Sequence, residues 1–134
     1  MLLKLGALVK SKNVLIELNN TKGLDSVTAY RILKNSYSID KELKFYDEQR
    51  AKLIHEYCER DQNGKPIVNN GYYTIKSEFK DIYEVEISNL FNEVVEVQIN
   101  KISIDSLFKV GLSPAQIGTI EFMLISEESE REEK

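Results

Sequence analysis

From Ser26 to Arg60 the chain carries neither glycine nor proline. Its apolar side chains fall at Val27, Tyr30, Leu33 and Tyr37, then at Leu43, Tyr46, Leu53 and Tyr57, with Arg50 in the slot between Tyr46 and Leu53. Steps of three and four place side chains on one face of a helix, so the pattern predicts a long helix burying that stripe. At about 1.5 Å per residue it would run roughly 50 Å. The segment NSYSID, residues 35–40, weakens the pattern, and Ser38 can cap a second helix. The element is therefore one straight helix, one kinked helix, or two helices in line. Asp40, Lys44, Glu48, Lys52, Glu56 and Arg60 recur every fourth residue with alternating sign. Pairs at that spacing stabilise a solvated helix by about 0.2–0.5 kcal/mol each. The ridge reads first as a solvent face and second as a charged partner surface.

The flanking segments predict smaller elements. Leu2–Leu5 suits a short strand, and Lys12–Asn20 a short helix closed by an Asn pair. TKGLD, residues 21–25, makes a turn, and Asp25 or Ser26 can cap the long helix. DQNGKP, residues 61–66, ends it, because Asn63-Gly64 accepts positive φ and Pro66 prevents resumption. Asn70-Gly71, inside IVNNGYY, marks a hairpin. Ser77–Asn92 has a helical face in Phe79, Ile82, Tyr83, Ile87 and Leu90, and also a strand-like alternation at Tyr83, Val85 and Ile87. The helix is the favoured reading. Val95, Val97 and Ile99 alternate with Glu96 and Gln98 as in a half-buried strand reaching from Val94 to Ile104. Ser113 with Pro114 opens a terminal helix that buries Ile117, Ile120, Phe122 and Leu124.

Length and composition set bounds on this picture. The 134 residues, 42% hydrophobic and 30% charged, suit one ordinary domain with its own core, taken as residues 1–126. The last eight residues, EESEREEK, read as an acidic flexible tail, residues 127–134. Net charge is −4 and the pI is near 5.1, which disfavours a general nucleic-acid binder. The single cysteine, Cys58, cannot form an internal disulfide, and a reducing cytoplasm is the natural setting. The apolar start MLLKLGALVK is too short to span a membrane and lacks the layout of a signal peptide.

Chemistry is sparsely signalled. There is no glycine-rich phosphate loop and no paired-cysteine zinc pattern. His55 stands alone on the charged helix and reads as a surface residue; a metal would need partners that the sequence does not offer. Cys58 lies three residues beyond it, but a helix C-terminal region does not activate a thiol. No catalytic residue, cofactor or metal ligand is assigned. The seven tyrosines are more informative, since tyrosine joins apolar area to a polar handle and is frequent in interfaces. The hairpin would protrude, making Ile67, Tyr72 and Tyr73 candidate partner-binding residues, with Glu48, Lys52 and Glu56 on the ridge as the second candidate group.

Three stretches, ELKFYDEQRAKLIHEYCERDQNGKP, YYTIKSEFKDIYEVEISNLFNEVVEVQINKISIDSL and LSPAQIGTIEFMLI, follow one another along the chain. This succession resembles a family of small uncharacterised proteins of tailed phages and prophages of Gram-positive bacteria, from about Leu24 to Ile125. The resemblance implies an accessory protein without assigned activity, and carries no catalytic residues. NSYSID and YEVEI fit its pattern least well. The expected fold is α+β: a helical hairpin of Ser26–Arg60 and Ser77–Phe91, a small sheet at one end, and a short C-terminal helix. The expected function is non-enzymatic protein binding, directed at a host or defence protein in the bacterial cytoplasm. The alternative is a phage tail or virion assembly component, or its chaperone. Oligomerisation through the long helix is a further expectation, and neither nucleic acid nor membrane is an expected partner.

Overall fold

A computed structural model describes residues 1–125. The acidic segment 127–134 lies outside the described residues. The elements, in chain order, are β1 (Leu2–Lys4), α1 (Leu5–Asn19), α2 (Ser26–Tyr57), β2 (Val68–Asn69), β3 (Tyr72–Tyr73), α3 (Lys80–Phe91), β4 (Val94–Glu96), β5 (Ile102–Ser103), α4 (Pro114–Thr119) and β6 (Leu124–Ile125). The class is α+β. Helices α1, α2 and α3 pack on one another, α4 packs on α1, and the strands form three separate two-stranded ladders. β1 pairs antiparallel with β4, β2 antiparallel with β3, and β5 parallel with β6.

The long helix is single and uninterrupted. Asp25 caps it by accepting the Thr28 N–H at 3.0 Å, and hydrogen bonding by the Thr28 hydroxyl, then by its N–H, holds the Asp25 carboxyl below its ordinary pKa. The buried face differs from the expected one over its first half. Val27, Tyr30, Leu33 and Tyr37 are exposed, and Thr28, Ile32, Asn35, Ser36 and Ile39 are buried. The reason is angular. From Tyr37 to Leu43 is a step of six, which on a continuous helix turns to another face; Ile32, Ile39, Leu43, Tyr46 and Leu53 follow steps of seven, four, three and seven and stay on one. The weak helix formers of NSYSID do not break the helix, because two of them are anchored: Ser36 Oγ donates to the Ile32 carbonyl at 2.9 Å, and the Asn35 amide is fully hydrogen-bonded.

α1 is longer than expected, beginning at Leu5 instead of Lys12, and it supplies much of the core. Leu5, Leu8, Val14, Leu15 and Leu18 meet Ile32, Ile39, Leu43 and Tyr46 of α2. Two features concealed its first turns. Ser11 is buried with its hydroxyl donating to the Leu8 carbonyl at 2.8 Å. Gly6 sits under Phe91: a Cβ on it would lie 2.5 Å from Phe91 Cδ1 and 3.1 Å from the Phe91 carbonyl oxygen. A residue that disfavours helices is thus required where α1 meets α3.

The expected strand Val94–Ile104 is divided. β4 ends at Glu96, Val97 exchanges two backbone hydrogen bonds with Met1, at 2.8 and 3.0 Å, and residues 98–101 run without ladder partners before β5 pairs elsewhere. What holds this stretch is side chains of α2. Asn35 Nδ2 donates to the Asn100 carbonyl at 2.9 Å, and Asn35 Oδ1 accepts the Asn100 N–H at 2.7 Å. One turn earlier, Arg31 donates to the Lys101 carbonyl at 3.1 Å. The terminal helix is likewise shorter than expected. Ser113 and Gln116 close a reciprocal capping box, α4 stops at Thr119, and Leu124 lies in β6.

The Gly6 contact gives an expected outcome. In an ordinary helix Gly→Ala adds about 1 kcal/mol of stability. Gly6→Ala instead displaces Phe91 from its edge-to-face contact with Tyr46, at 5.6 Å between centroids, and should destabilise by about 1–3 kcal/mol in chemical denaturation. A gain in stability would contradict this packing.

Candidate binding groove

Beyond Tyr46, α2 outruns the main core. Leu53 and Cys58 are buried there outside the principal apolar cluster. This end is covered by a small folded arm, residues 58–76. Its first turn is built on Asp61, whose carboxylate accepts the N–H of Asn63 at 2.8 Å and of Lys65 at 3.0 Å. Its second is the β2–β3 hairpin, with Asn70 at φ 52° and Gly71 at φ 81°, as the Asn-Gly pair predicts. The hairpin legs then splay around residues 58–60. Ile67 donates to the Glu59 carbonyl at 2.9 Å on one side, and Glu59 donates to the Thr74 carbonyl at 2.7 Å on the other. Arg60 donates to the Gly64 carbonyl at 2.9 Å and to the carbonyl of His55 in the last turn of α2. A guanidinium there meets the negative end of the helix and fastens the arm to it.

An open groove of about 490 Å3 lies between this arm, α2 and α3. Arg50, Ile54 and His55 line it from α2, Tyr72, Tyr73 and Ile75 from the arm, and Tyr83 from α3. The His55 and Tyr73 rings lie 5.3 Å apart, tilted by 57°. The Tyr57 and Phe79 rings lie 5.5 Å apart, tilted by 51°. The lining joins three phenols, an imidazole and a guanidinium to aliphatic surface, with Asp47 at its margin. Such a mixture meets protein side chains well, because each ring offers apolar area and a hydrogen-bonding tip.

The six candidate partner residues do not form one patch. Tyr72 and Tyr73 line the groove, 77% and 39% exposed. Ile67 belongs to a different shallow cleft, with Glu59, Arg60 and Lys76. Glu48 and Lys52 border a depression formed with Phe45, Leu90 and Val95. Glu56 is exposed and lines neither. The ridge is not a continuous surface, since each four-residue step turns about 40° past a full circle and the series winds around the helix. Its members form no ion pair with one another; among the described residues the single ion pair within 4.0 Å joins the Met1 amino group to Glu96, at 2.7 Å.

Arg50, Ile54 and Tyr83 were not singled out by the sequence, and His55 read as an isolated surface residue. The available signal was the spacing Asp47–Arg50–Ile54, one line of a helix whose end is followed by an aromatic hairpin. Cys58 is 1% exposed, and its Sγ lies 3.7 Å from the backbone carbonyl of His55, in the geometry of a donor to it. Among the described residues, no group of three or more His, Cys, Asp or Glu side chains is placed to hold a metal ion. No described helix is long and apolar enough to cross a membrane. Comparison with protein families, curated proteins and solved structures finds no match to the chain.

The setting of Cys58 has a direct readout. In the folded protein a thiol reagent such as a disulfide chromophore should label it only as fast as the arm opens, with the free-thiol rate restored in denaturant. Prompt labelling of the native chain would contradict a buried thiol.

Proposed function

We propose that the chain acts by binding another protein, with the groove between α2, α3 and the tyrosine hairpin as its contact site. The observation that carries this reading is the hairpin itself. Tyr72 and Tyr73 are held over solvent on a two-residue turn, while the arm behind them is fastened to the end of α2 by Arg60 and by backbone hydrogen bonds. Aromatic side chains on a rigid support lose little freedom on binding and so supply much of an interface's energy.

The resemblance to proteins of phages of Gram-positive bacteria gives the reading its setting. In that setting the chain is an accessory factor working in the host cytoplasm, and its partner is a host or defence protein whose action it blocks. The competing role, a tail or virion assembly component or its chaperone, uses the same kind of contact with a phage protein as partner.

Affinity capture with the tagged chain from a phage-infected Gram-positive lysate, read by mass spectrometry, tests both. The expected result is one stoichiometric host protein, with capture reduced at least ~30-fold by Tyr72→Ala and unchanged by Glu48→Ala. Equal capture by Tyr72→Ala, or no stoichiometric partner, would overturn the groove as the contact site. Retention of tail or capsid proteins in place of a host protein would replace the inhibitor role with assembly.

A further inference from the structure

The outward face of α2 over its first half is left without a partner by the described residues. Val27, Tyr30, Leu33 and Tyr37 are 55%, 61%, 42% and 68% exposed. With the lysines between them they form a seam, Val27, Tyr30, Lys34, Tyr37, Lys41 and Lys44, in steps of three, four, three, four and three. Alternating threes and fours keep side chains on one line of a helix, and this is the spacing through which two helices pair. The seam runs about 26 Å. Its basic and aromatic groups are interleaved: the Lys34 ammonium lies 5.4 Å from the centroid of the Tyr30 ring.

The charge along this seam is cationic: Lys34, Lys41 and, at its edge, Lys44 are exposed. The carboxylates of the same stretch lie at its edge or beyond. Asp40 is at the edge of the seam, in the cleft towards α1 that Lys44 also lines with Lys12, Asp47 and Glu48, and Glu42 is on the opposite flank, with Leu5 and Val95. A cationic strip is thus concentrated on a chain whose net charge is −4.

We propose that this face binds an acidic amphipathic helix of another protein, at a site separate from the groove. Carboxylates of that helix meet Lys34, Lys41 and Lys44, and its aliphatic side chains cover Val27, Tyr30, Leu33 and Tyr37. The helical spacing selects a helix, and the unopposed lysines select an acidic one. A second copy of the chain is disfavoured, since self-pairing would set the Lys34 and Lys41 ammonium groups of two copies against one another, with Asp40 only at the margin. Nucleic acid is disfavoured because Val27 and Leu33 offer phosphates nothing, and the net negative charge repels them.

The test titrates the full-length labelled chain with a helical peptide of about 18 residues built from Glu and Leu at amphipathic spacing, and with its Lys/Leu counterpart, observing backbone amide resonances. The acidic peptide should shift Tyr30, Lys34, Tyr37 and Lys41 while leaving the groove residues Tyr72 and Tyr83 unmoved. Raising salt from about 0.05 M to about 0.5 M, or introducing Lys34→Glu with Lys41→Glu, should each weaken binding at least ~10-fold. These positions are exposed, so the variant should keep the native spectrum elsewhere. The proposal is overturned by absent shifts on this face, by equal binding of the basic peptide, or by tighter binding of a single-stranded oligonucleotide. It is equally overturned if a concentration-dependent dimer moves the same resonances. If replacing Glu127, Glu128 and Glu130 by Gln moves them without peptide, the occupant is the chain's own acidic segment.

Discussion

A single buried side chain organises the half of the molecule that has little regular structure. Asn35, fully buried on α2, turns its amide against the backbone of Asn100 and exchanges two hydrogen bonds with it, as a neighbouring strand would. Its second amide hydrogen points to Met123 Sδ at 3.6 Å, and its oxygen also lies 3.4 Å from Asn100 Nδ2. Burying an amide is costly unless its hydrogen bonds are made, and here they are made to one segment in one register. That register sets where β5 begins, and β5 in turn positions β6. Lys101, next in sequence, donates to the Phe122 carbonyl at 2.7 Å and ties the same segment to the turn before β6. The β5–β6 ladder is therefore tied to a helix that lends a side chain where a strand would otherwise stand.

The second constraint is the length of α2. A 32-residue helix is longer than the core around it. Its first half buries one side against α1 and the 97–103 segment and leaves the opposite side bare. Its last turns are covered by the arm and α3, with the tyrosine groove between them. The two surfaces offered as contact sites are both consequences of this excess length. The arm is held by hydrogen bonds more than by apolar burial, which is how a scaffold carries a contact loop without a second large core.

Much of this was legible from the sequence and some was not, for identifiable reasons. The start of α2, the Asn70-Gly71 turn, the α3 helix and the Ser113 cap were readable because each rests on local chemistry, whereas α2 stops at Tyr57, short of the expected Arg60, because residues 58–60 pair with the arm. The buried face of α2 was misassigned because its true core line contains Asn35 and Ser36, polar residues whose burial depends on Asn100, sixty-five positions away. The start of α1 was missed because Gly6 and Ser11 argue against a helix until Phe91 and the Leu8 carbonyl are in place. Of the proposed groove, Tyr72 and Tyr73 were readable from a protruding hairpin. Arg50, Ile54 and Tyr83 were not, because only the docking of the arm and α3 makes them neighbours.

The most direct measurement of the account is native-state hydrogen exchange at the Asn100 amide. If Asn35 holds residues 98–101 as a strand would, this amide should exchange only on global or near-global unfolding, with protection close to that of Ile39 in the middle of α2. Exchange as fast as at exposed turn residues such as Gly64 would show that the segment opens independently of α2, and would contradict the central role given to Asn35.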